Sequence, residues 1–157
     1  MTRELSIETG MSNRHKVSVA VSGMGYWGKN LVRNFYELGA LSAVCDSNAA
    51  VEKSCTGQYK SVKFCREFGE ILSDPKIDAV ALATPAVSHY EMAKAALAAG
   101  KDIFVEKPLA IHVGQGRELV KLADAQRRIL MVGHILRYHP AVLRLQDLIR
   151  SGEADTE

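Results

Sequence analysis

Short apolar runs alternate with longer helix-patterned segments along the chain, starting near His15. The runs are rich in Val, Ile, Ala and Leu, and we expect the first, fourth and fifth to be strands buried on both faces. Parallel strands joined by helices form right-handed βαβ units, so the pattern predicts an α/β domain with a doubly wound parallel sheet. The six predicted strands are Lys16–Val21, Leu41–Asp46, Val62–Phe64, Ala79–Ala83, Asp102–Val105 and Leu130–Gly133.

Several of the intervening helices have recognisable ends. Proline suits the first turn of a helix and glycine suits the left-handed position after its last turn, and both residues recur at these places. We therefore predict helices over Tyr26–Leu38, over Pro85–Gly100 with Thr84 as N-cap, over Gln115–Arg127 and over Pro140–Gly152.

The composition fits one globular domain and excludes several kinds of partner. The chain has 157 residues, 47% of them hydrophobic and 24% charged, and its formal net charge is only +2. This balance gives no reason to expect a nucleic-acid or membrane partner, and no apolar run approaches the roughly 18 residues of a membrane helix. We expect a cytoplasmic protein with a mobile leader over residues 1–14, a domain over 15–152 and an acidic tail over 153–157.

The spacing of cysteine and histidine argues against disulfide and metal chemistry. Cys45, Cys55 and Cys65 are odd in number and form no Cys-x-x-Cys pair, so we expect free thiols. His134 and His139 are five residues apart, a spacing that fits neither one helix face nor a zinc site, so no metal is expected.

A glycine-rich turn lies directly between the first predicted strand and the first predicted helix. Its sequence is Gly23-Met-Gly25-Tyr26-Trp27-Gly28. Gly23 permits a tight turn, Gly25 lets a pyrophosphate approach the backbone, and Gly28 allows close packing of helix on strand. The helix N-terminus offers free N–H groups and a partial positive charge to the same pyrophosphate. In this context the motif predicts a dinucleotide-binding fold with the strand order 3-2-1-4-5-6.

Asp46, at the end of the second predicted strand, indicates which dinucleotide binds. A carboxylate at this place can accept hydrogen bonds from both adenosine ribose hydroxyls. The same charge repels the 2′-phosphate of NADP, and the following Ser47 and Asn48 supply no arginine to hold it. NAD is therefore the expected cofactor, with NADP as the alternative. An N-cap role for Asp46 in the next helix stays open.

Glu106-Lys107-Pro108 follows the fifth predicted strand, at the edge where open α/β sheets bind ligands. A partly buried lysine there can exchange a proton with a substrate hydroxyl while a hydride leaves the same carbon. Alternatively, Lys107 is a surface lysine beside a loop proline. Without other evidence, this simpler interpretation is favoured. Trp27 also has two interpretations. In one it packs over the cofactor, and in the other it shields the glycine turn.

Four segments together resemble the Gfo/Idh/MocA oxidoreductases. They are the turn Gly23–Gly28, Thr84-Pro85 with His89 downstream, Ala99-Gly100-Lys101, and Glu106-Lys107-Pro108. The resemblance runs from about Lys16 to Gly152 and implies a Rossmann-type fold with Lys107 as the catalytic residue and a cis Lys107–Pro108 bond. The residues assigned to the cofactor are Gly23, Gly25, Tyr26, Trp27, Gly28, Asp46, Thr84, Pro85, His89, Glu106 and Lys107.

The segment from Gly133 to Pro140 resembles one branch of this family, the UDP-N-acetylglucosaminuronate 3-dehydrogenases. That branch oxidises the C3 hydroxyl of a UDP-linked amino sugar with NAD. The resemblance implies that Arg137 and Tyr138 lie near the nicotinamide and the sugar, with Lys107 at the reacting hydroxyl. The expected substrate is a sugar or a sugar nucleotide.

Members of the family carry a second domain, which holds most of the substrate and a histidine that assists the lysine. We expect this domain to be absent here, because the last histidine is His139. The leading hypothesis is a truncated NAD-binding domain of a sugar-nucleotide dehydrogenase. The alternative is a non-catalytic NAD-binding or interaction module that self-associates through Val142, Leu145 and Ile149. A methyltransferase-type fold ranks last, because Glu106-Lys107-Pro108 has no role in that chemistry.

Overall fold

Six parallel strands form one sheet in the order β3-β2-β1-β4-β5-β6, which confirms the predicted doubly wound topology. The structure is a computed structural model that describes residues 16–153, so the predicted leader and residues 154–157 of the predicted tail lie outside the described residues. The strands are β1 (Val19–Ser22), β2 (Leu41–Cys45), β3 (Lys63–Cys65), β4 (Ala79–Leu82), β5 (Asp102–Val105) and β6 (Leu130–Val132).

Helices connect the strands on both faces of the sheet. They are α1 (Gly28–Glu37), α2 (Ala49–Gln58), α3 (Phe68–Ser73), α4 (Ala86–Ala98), α5 (Val113–Gln126) and α6 (Pro140–Ser151), with a 3₁₀ helix over Ile135–Tyr138. Among the described helices, none has the length and apolar content needed to cross a membrane.

Three predicted helix starts differ from the structure. Helix α1 begins at Gly28 rather than Tyr26, because Tyr26 and Trp27 belong to the glycine turn. Pro85, not Thr84, occupies the N-cap of α4, since its extended backbone precedes the first helical residue. Helix α5 begins at Val113 rather than Gln115, because His112 forms a capping box with Gln115.

The core lies in two clusters, one on each face of the sheet. Strand β1 is buried along its whole length, as predicted, and β4 is nearly so. Strand β5 instead alternates between buried and half-buried residues. Ile103 and Val105 belong to the cluster that includes residues of α4, whereas Phe104 points to the other face and is only partly covered.

Lys101, from the motif Ala99-Gly100-Lys101, is a structural residue in this fold. It is buried, and its ammonium group donates hydrogen bonds to the carbonyl oxygens of Asp74 and Ile77 at 2.6 and 2.7 Å. These contacts join the start of β5 to the segment between α3 and β4. The buried charge is satisfied by oriented backbone carbonyls, so the motif stabilises the sheet rather than the ligand edge.

Candidate functional site

The glycine turn stands where the strand order of the sheet reverses. Strand β1 pairs with β2 on one side and with β4 on the other, and the turn follows its carboxyl end. Two cavities of about 390 and 410 Å³ open on either side of this turn. We call them the β2-side cavity, which contains Asp46, and the β5-side cavity, which contains Lys107. Open α/β folds bind ligands at such a reversal point.

The three glycines of the turn occupy different environments. Gly23 has a φ of +88°, and a Cβ there would lie 2.8 Å from the Ala83 carbonyl oxygen. A Cβ at Gly28 would lie 1.8 Å from the Gly23 carbonyl oxygen, because α1 packs directly on the turn. A Cβ at Gly25 would meet no atom within 4 Å. The backbone at Gly25 therefore faces open space at a helix N-terminus, which fits a pyrophosphate group.

Asp46 connects the glycine turn to the end of β2. Its carboxylate accepts hydrogen bonds from the backbone N–H groups of Met24 at 2.8 Å and Asn48 at 2.9 Å. Each carboxylate oxygen keeps a further lone pair for a ligand hydroxyl. Helix α2 is capped by Asn48, whose side chain accepts from the Ala50 N–H, so the N-cap interpretation of Asp46 is wrong.

Arg66 also lines the β2-side cavity, and sequence reasoning missed it. It follows β3 directly, and β3 pairs with β2 so that Cys65 is the register partner of Cys45. Asp46, which follows β2, and Arg66, which follows β3, therefore lie at the same edge of the sheet. The predicted strand order already contained this signal, because it made the ends of the second and third strands neighbours.

The β5-side cavity joins the glycine turn to the end of β5. Trp27 and Glu106 both line it, and the Trp27 indole N–H donates a hydrogen bond of 2.6 Å to the buried Glu106 carboxylate. Trp27 therefore forms part of the cavity wall and holds the turn against β5. Tyr26 lines the same cavity with its ring largely exposed, and the Lys29 ammonium lies 5.2 Å from the ring centroid.

His89 is buried at the wall of the β5-side cavity, between two loops, and its ring N–H can donate to a carbonyl oxygen of either loop. One ring nitrogen, Nδ1, lies 2.7 Å from the Pro108 carbonyl oxygen, and the other, Nε2, lies 2.8 Å from the Thr84 carbonyl oxygen. These carbonyls belong to the segments that follow β5 and β4. The Lys107–Pro108 bond is cis, as the family resemblance implied.

The structure brings most of the predicted site residues to the two cavities. Lys107 lines the β5-side cavity, but it is exposed, so the partial burial expected for a catalytic lysine is not observed. Arg137 and Tyr138 line neither cavity, and the Arg137 guanidinium donates instead to Gln146 on α6 at 2.7 Å. Gly23, Gly25, Asp46 and Pro85 line the β2-side cavity, Thr84 lines both, and Tyr26, Trp27, His89, Glu106 and Lys107 line the other.

Cys45 lines the β2-side cavity as a buried free thiol. Burial raises the pKa of this thiol to about 11, and a hydrogen bond with Ser22 only partly opposes the effect. The thiol is therefore protonated at neutral pH and has little nucleophilic character. Among the described residues, no group of three or more His, Cys, Asp and Glu side chains could hold a metal ion.

The raised pKa of Cys45 predicts a loss of stability in alkali. The unfolded thiol ionises near pH 9 while the folded one stays protonated up to about pH 11, so the unfolded state gains stability across this window. Urea unfolding at stepped pH should show wild type losing on the order of 2 kcal/mol relative to Cys45→Ala between pH 9 and 11. Parallel pH curves for the two proteins would contradict the assignment.

The chain matches known proteins over most of its length. The profile of the Gfo/Idh/MocA family, described as "Oxidoreductase family, NAD-binding Rossmann fold", matches residues 17–134. The inositol 2-dehydrogenase of Acidothermus cellulolyticus is 31% identical over 146 residues, which are 90% of this chain and 43% of that protein. The UDP-N-acetylglucosamine 3-dehydrogenase of Acidithiobacillus ferrooxidans is 28% identical over 127 residues, which are 80% of this chain and 39% of that protein.

Solved structures with the same fold carry either nicotinamide dinucleotide. GenD2 from gentamicin A biosynthesis, in complex with NAD, has a TM-score of 0.79 and 27% identity over 85% of this chain and 38% of its own. Biliverdin reductase from Synechocystis sp. PCC 6803, in complex with biliverdin and NADP+, has a TM-score of 0.72 and 29% identity over 77% of this chain and 39% of its own. The chain spans less than half the length of each of these four proteins. By fold, motif and profile, this chain belongs to the Gfo/Idh/MocA oxidoreductase family and comprises its NAD-binding Rossmann domain.

Proposed function

We propose that the chain binds NAD across the glycine turn and that the protein oxidises a ring hydroxyl of a sugar or sugar nucleotide. The observation that carries the proposal is the pair of cavities on either side of the turn, with Asp46 in one and Lys107 in the other. A dinucleotide has two nucleoside halves joined by a pyrophosphate, and this arrangement offers a place for each part.

Each part of the site has a distinct task in this proposal. Gly25 and the start of α1 bind the pyrophosphate, and Asp46 accepts the adenosine ribose hydroxyls. Bound NAD supplies the acceptor for a hydride from the substrate carbon. Lys107 Nζ, at the mouth of the β5-side cavity, takes the proton of the substrate hydroxyl. Trp27, Glu106 and His89 hold the wall and floor of that cavity in place.

The nature of the substrate rests on the relatives. Both curated relatives described above are named as dehydrogenases of hydroxyl-rich rings, inositol in one and a UDP-linked amino sugar in the other. A ring hydroxyl flanked by other polar groups is their shared chemistry. We keep the UDP-N-acetylglucosaminuronate branch as the finer prediction, with Lys107, Arg137 and Tyr138 as its substrate residues.

Titration with NADH tests the binding half of the proposal. Trp27 is the only tryptophan and lines the β5-side cavity, so its fluorescence should change saturably as NADH fills the site. We expect binding to favour NADH over NADPH, because the Asp46 carboxylate repels a 2′-phosphate. No saturable change, together with no heat of binding, would contradict the proposal.

A turnover assay tests the catalytic half of the proposal. Inositol and UDP-linked amino sugars are supplied with NAD, and NADH formation is followed for wild type and Lys107→Met. Turnover that falls about 100-fold or more in the variant supports Lys107 as the base. Turnover that is equal in both proteins overturns that role. NADH binding without turnover supports the binding half of the proposal alone, because these residues span less than half the length of the related dehydrogenases.

The apolar residues of α6 support a second interaction. No residue of α6 is fully buried, and Leu143, Leu145 and Ile149 are exposed. We propose that this face mediates self-association, although Val142, which the sequence placed on it, is half-buried. The three free thiols further favour a reducing compartment, and we propose the cytoplasm.

A further inference from the structure

An ion pair stands at the rim of the β2-side cavity, next to Asp46. The Arg66 guanidinium donates to one oxygen of the Glu52 carboxylate, Oε2, from Nε at 3.0 Å and from Nη2 at 2.7 Å. Glu52 lies in the first turn of α2, and Arg66 follows β3 and lines the cavity. Because β2 and β3 are register neighbours, Arg66 and Asp46 share this edge of the sheet.

We propose that the Glu52–Arg66 pair sets the cofactor preference of the site by withholding Arg66 from a 2′-phosphate. This inference rests on the proposed binding of NAD and concerns its adenosine end. Arginine is the side chain best suited to hold a phosphate, because its fork of donors matches the phosphate oxygens. In this structure two of those donors, Nε and Nη2, are engaged by Glu52.

The charges at the rim decide between the two cofactors. Asp46 and Glu52 each contribute a negative charge and Arg66 contributes one positive charge, so these three groups together are negative. A 2′-phosphate must therefore compete with Glu52 for the guanidinium while it faces Asp46. A neutral 2′-hydroxyl does not need the Arg66 guanidinium and is not repelled by Asp46, which can accept a hydrogen bond from it.

The pair is placed so that Arg66 can change partner. Both side chains are about half exposed, 52% for Arg66 and 42% for Glu52, so solvent screens their attraction. Removal of the Glu52 charge should leave Arg66 in the cavity wall with its donors free. Glu52 thus acts as a positioning residue for the specificity of the site, and Arg66 is the phosphate ligand that it restrains.

The test compares dissociation constants for NADH and NADPH in four proteins: wild type, Glu52→Gln, Arg66→Gln and the double variant. Wild type should prefer NADH. Glu52→Gln should bind NADPH about tenfold more tightly than wild type, with NADH affinity changed less than twofold. The double variant should lose this gain, because the gain requires Arg66. Glu37→Gln is the matched control, since it removes an exposed pair with Arg33 on α1 that lines neither cavity.

The outcomes separate this inference from the proposed function. Wild type that binds neither cofactor overturns both. Wild type that binds NADH, with a Glu52→Gln preference within twofold of wild type, overturns the role of the pair alone. An NADPH gain that persists in the double variant, or that also occurs in Glu37→Gln, overturns it too. Thermal unfolding of each variant shows that affinities are compared between folded proteins.

Discussion

Gly28→Ala should abolish NADH binding and lower the free energy of unfolding by about 3 kcal/mol or more, because the new methyl group has no room. Its Cβ would lie 1.8 Å from the Gly23 carbonyl oxygen and 2.9 Å from the carbonyl carbon. Both atoms are backbone, so no side-chain rotation relieves the clash. Helix α1 would have to move away from the turn that it closes. Urea unfolding and NADH titration of the purified variant measure the two effects.

Two other glycines provide matched controls. Gly25→Ala adds the same methyl group where no atom lies within 4 Å, so stability should stay near that of wild type. NADH affinity should nevertheless fall about tenfold or more, because the methyl group occupies the approach of the pyrophosphate. Gly114→Ala, in α5, should keep the NADH affinity and leave stability equal to that of wild type or up to about 1 kcal/mol higher, because alanine favours a helix. Equal stability of Gly28→Ala and wild type would contradict the packing argument.

Asp46→Ala should weaken NADH binding about 10- to 100-fold, because the two charge-assisted hydrogen bonds that we propose it accepts from the ribose would be lost. The variant also leaves the backbone N–H groups of Met24 and Asn48 without this acceptor, so some loss of stability is expected. Calorimetric titration with NADH measures the affinity, and urea unfolding measures the stability.

Asn48→Ala separates these two effects of Asp46. It removes the hydrogen bond that caps α2 at the same edge of the sheet, at a cost of about 1 kcal/mol, and leaves the Asp46 carboxylate in place. Its NADH affinity should match that of wild type. If Asp46→Ala bound NADH within twofold of wild type, the ribose assignment would be wrong, whatever its stability.

The sheet order and the glycine turn could be predicted because local chemistry determines them. Strands buried on both faces of a parallel sheet require uninterrupted apolar runs, and the clash at Gly28 admits only glycine. Helices α2 and α3 received no predicted bounds, since α2 has little apolar periodicity and α3 is only six residues long. The residues typical of helix ends could not by themselves locate the start of α4, because Pro85 suits both the N-cap and the first turn.

The contacts that build the site could not be read from sequence, because they join distant segments. Trp27 and Glu106 are far apart in the chain, and their hydrogen bond depends on where the glycine turn meets β5. The family resemblance implies that Arg137 lies near the substrate, and the contact of its guanidinium with Gln146 on α6 could not be predicted from it. The position of Arg66 at the site could be predicted only from the pairing of β2 with β3.

The contacts of His89 make the β5-side cavity preorganised. One buried side chain packs between the carbonyl oxygens of Thr84 and Pro108 and donates to one of them, so the segments after β4 and β5 are held close to each other when the chain folds. A ligand that enters does not have to order these two segments, and the conformational entropy lost on association is correspondingly small. The rigidity of the cavity floor therefore contributes to ligand affinity without a contact to the ligand.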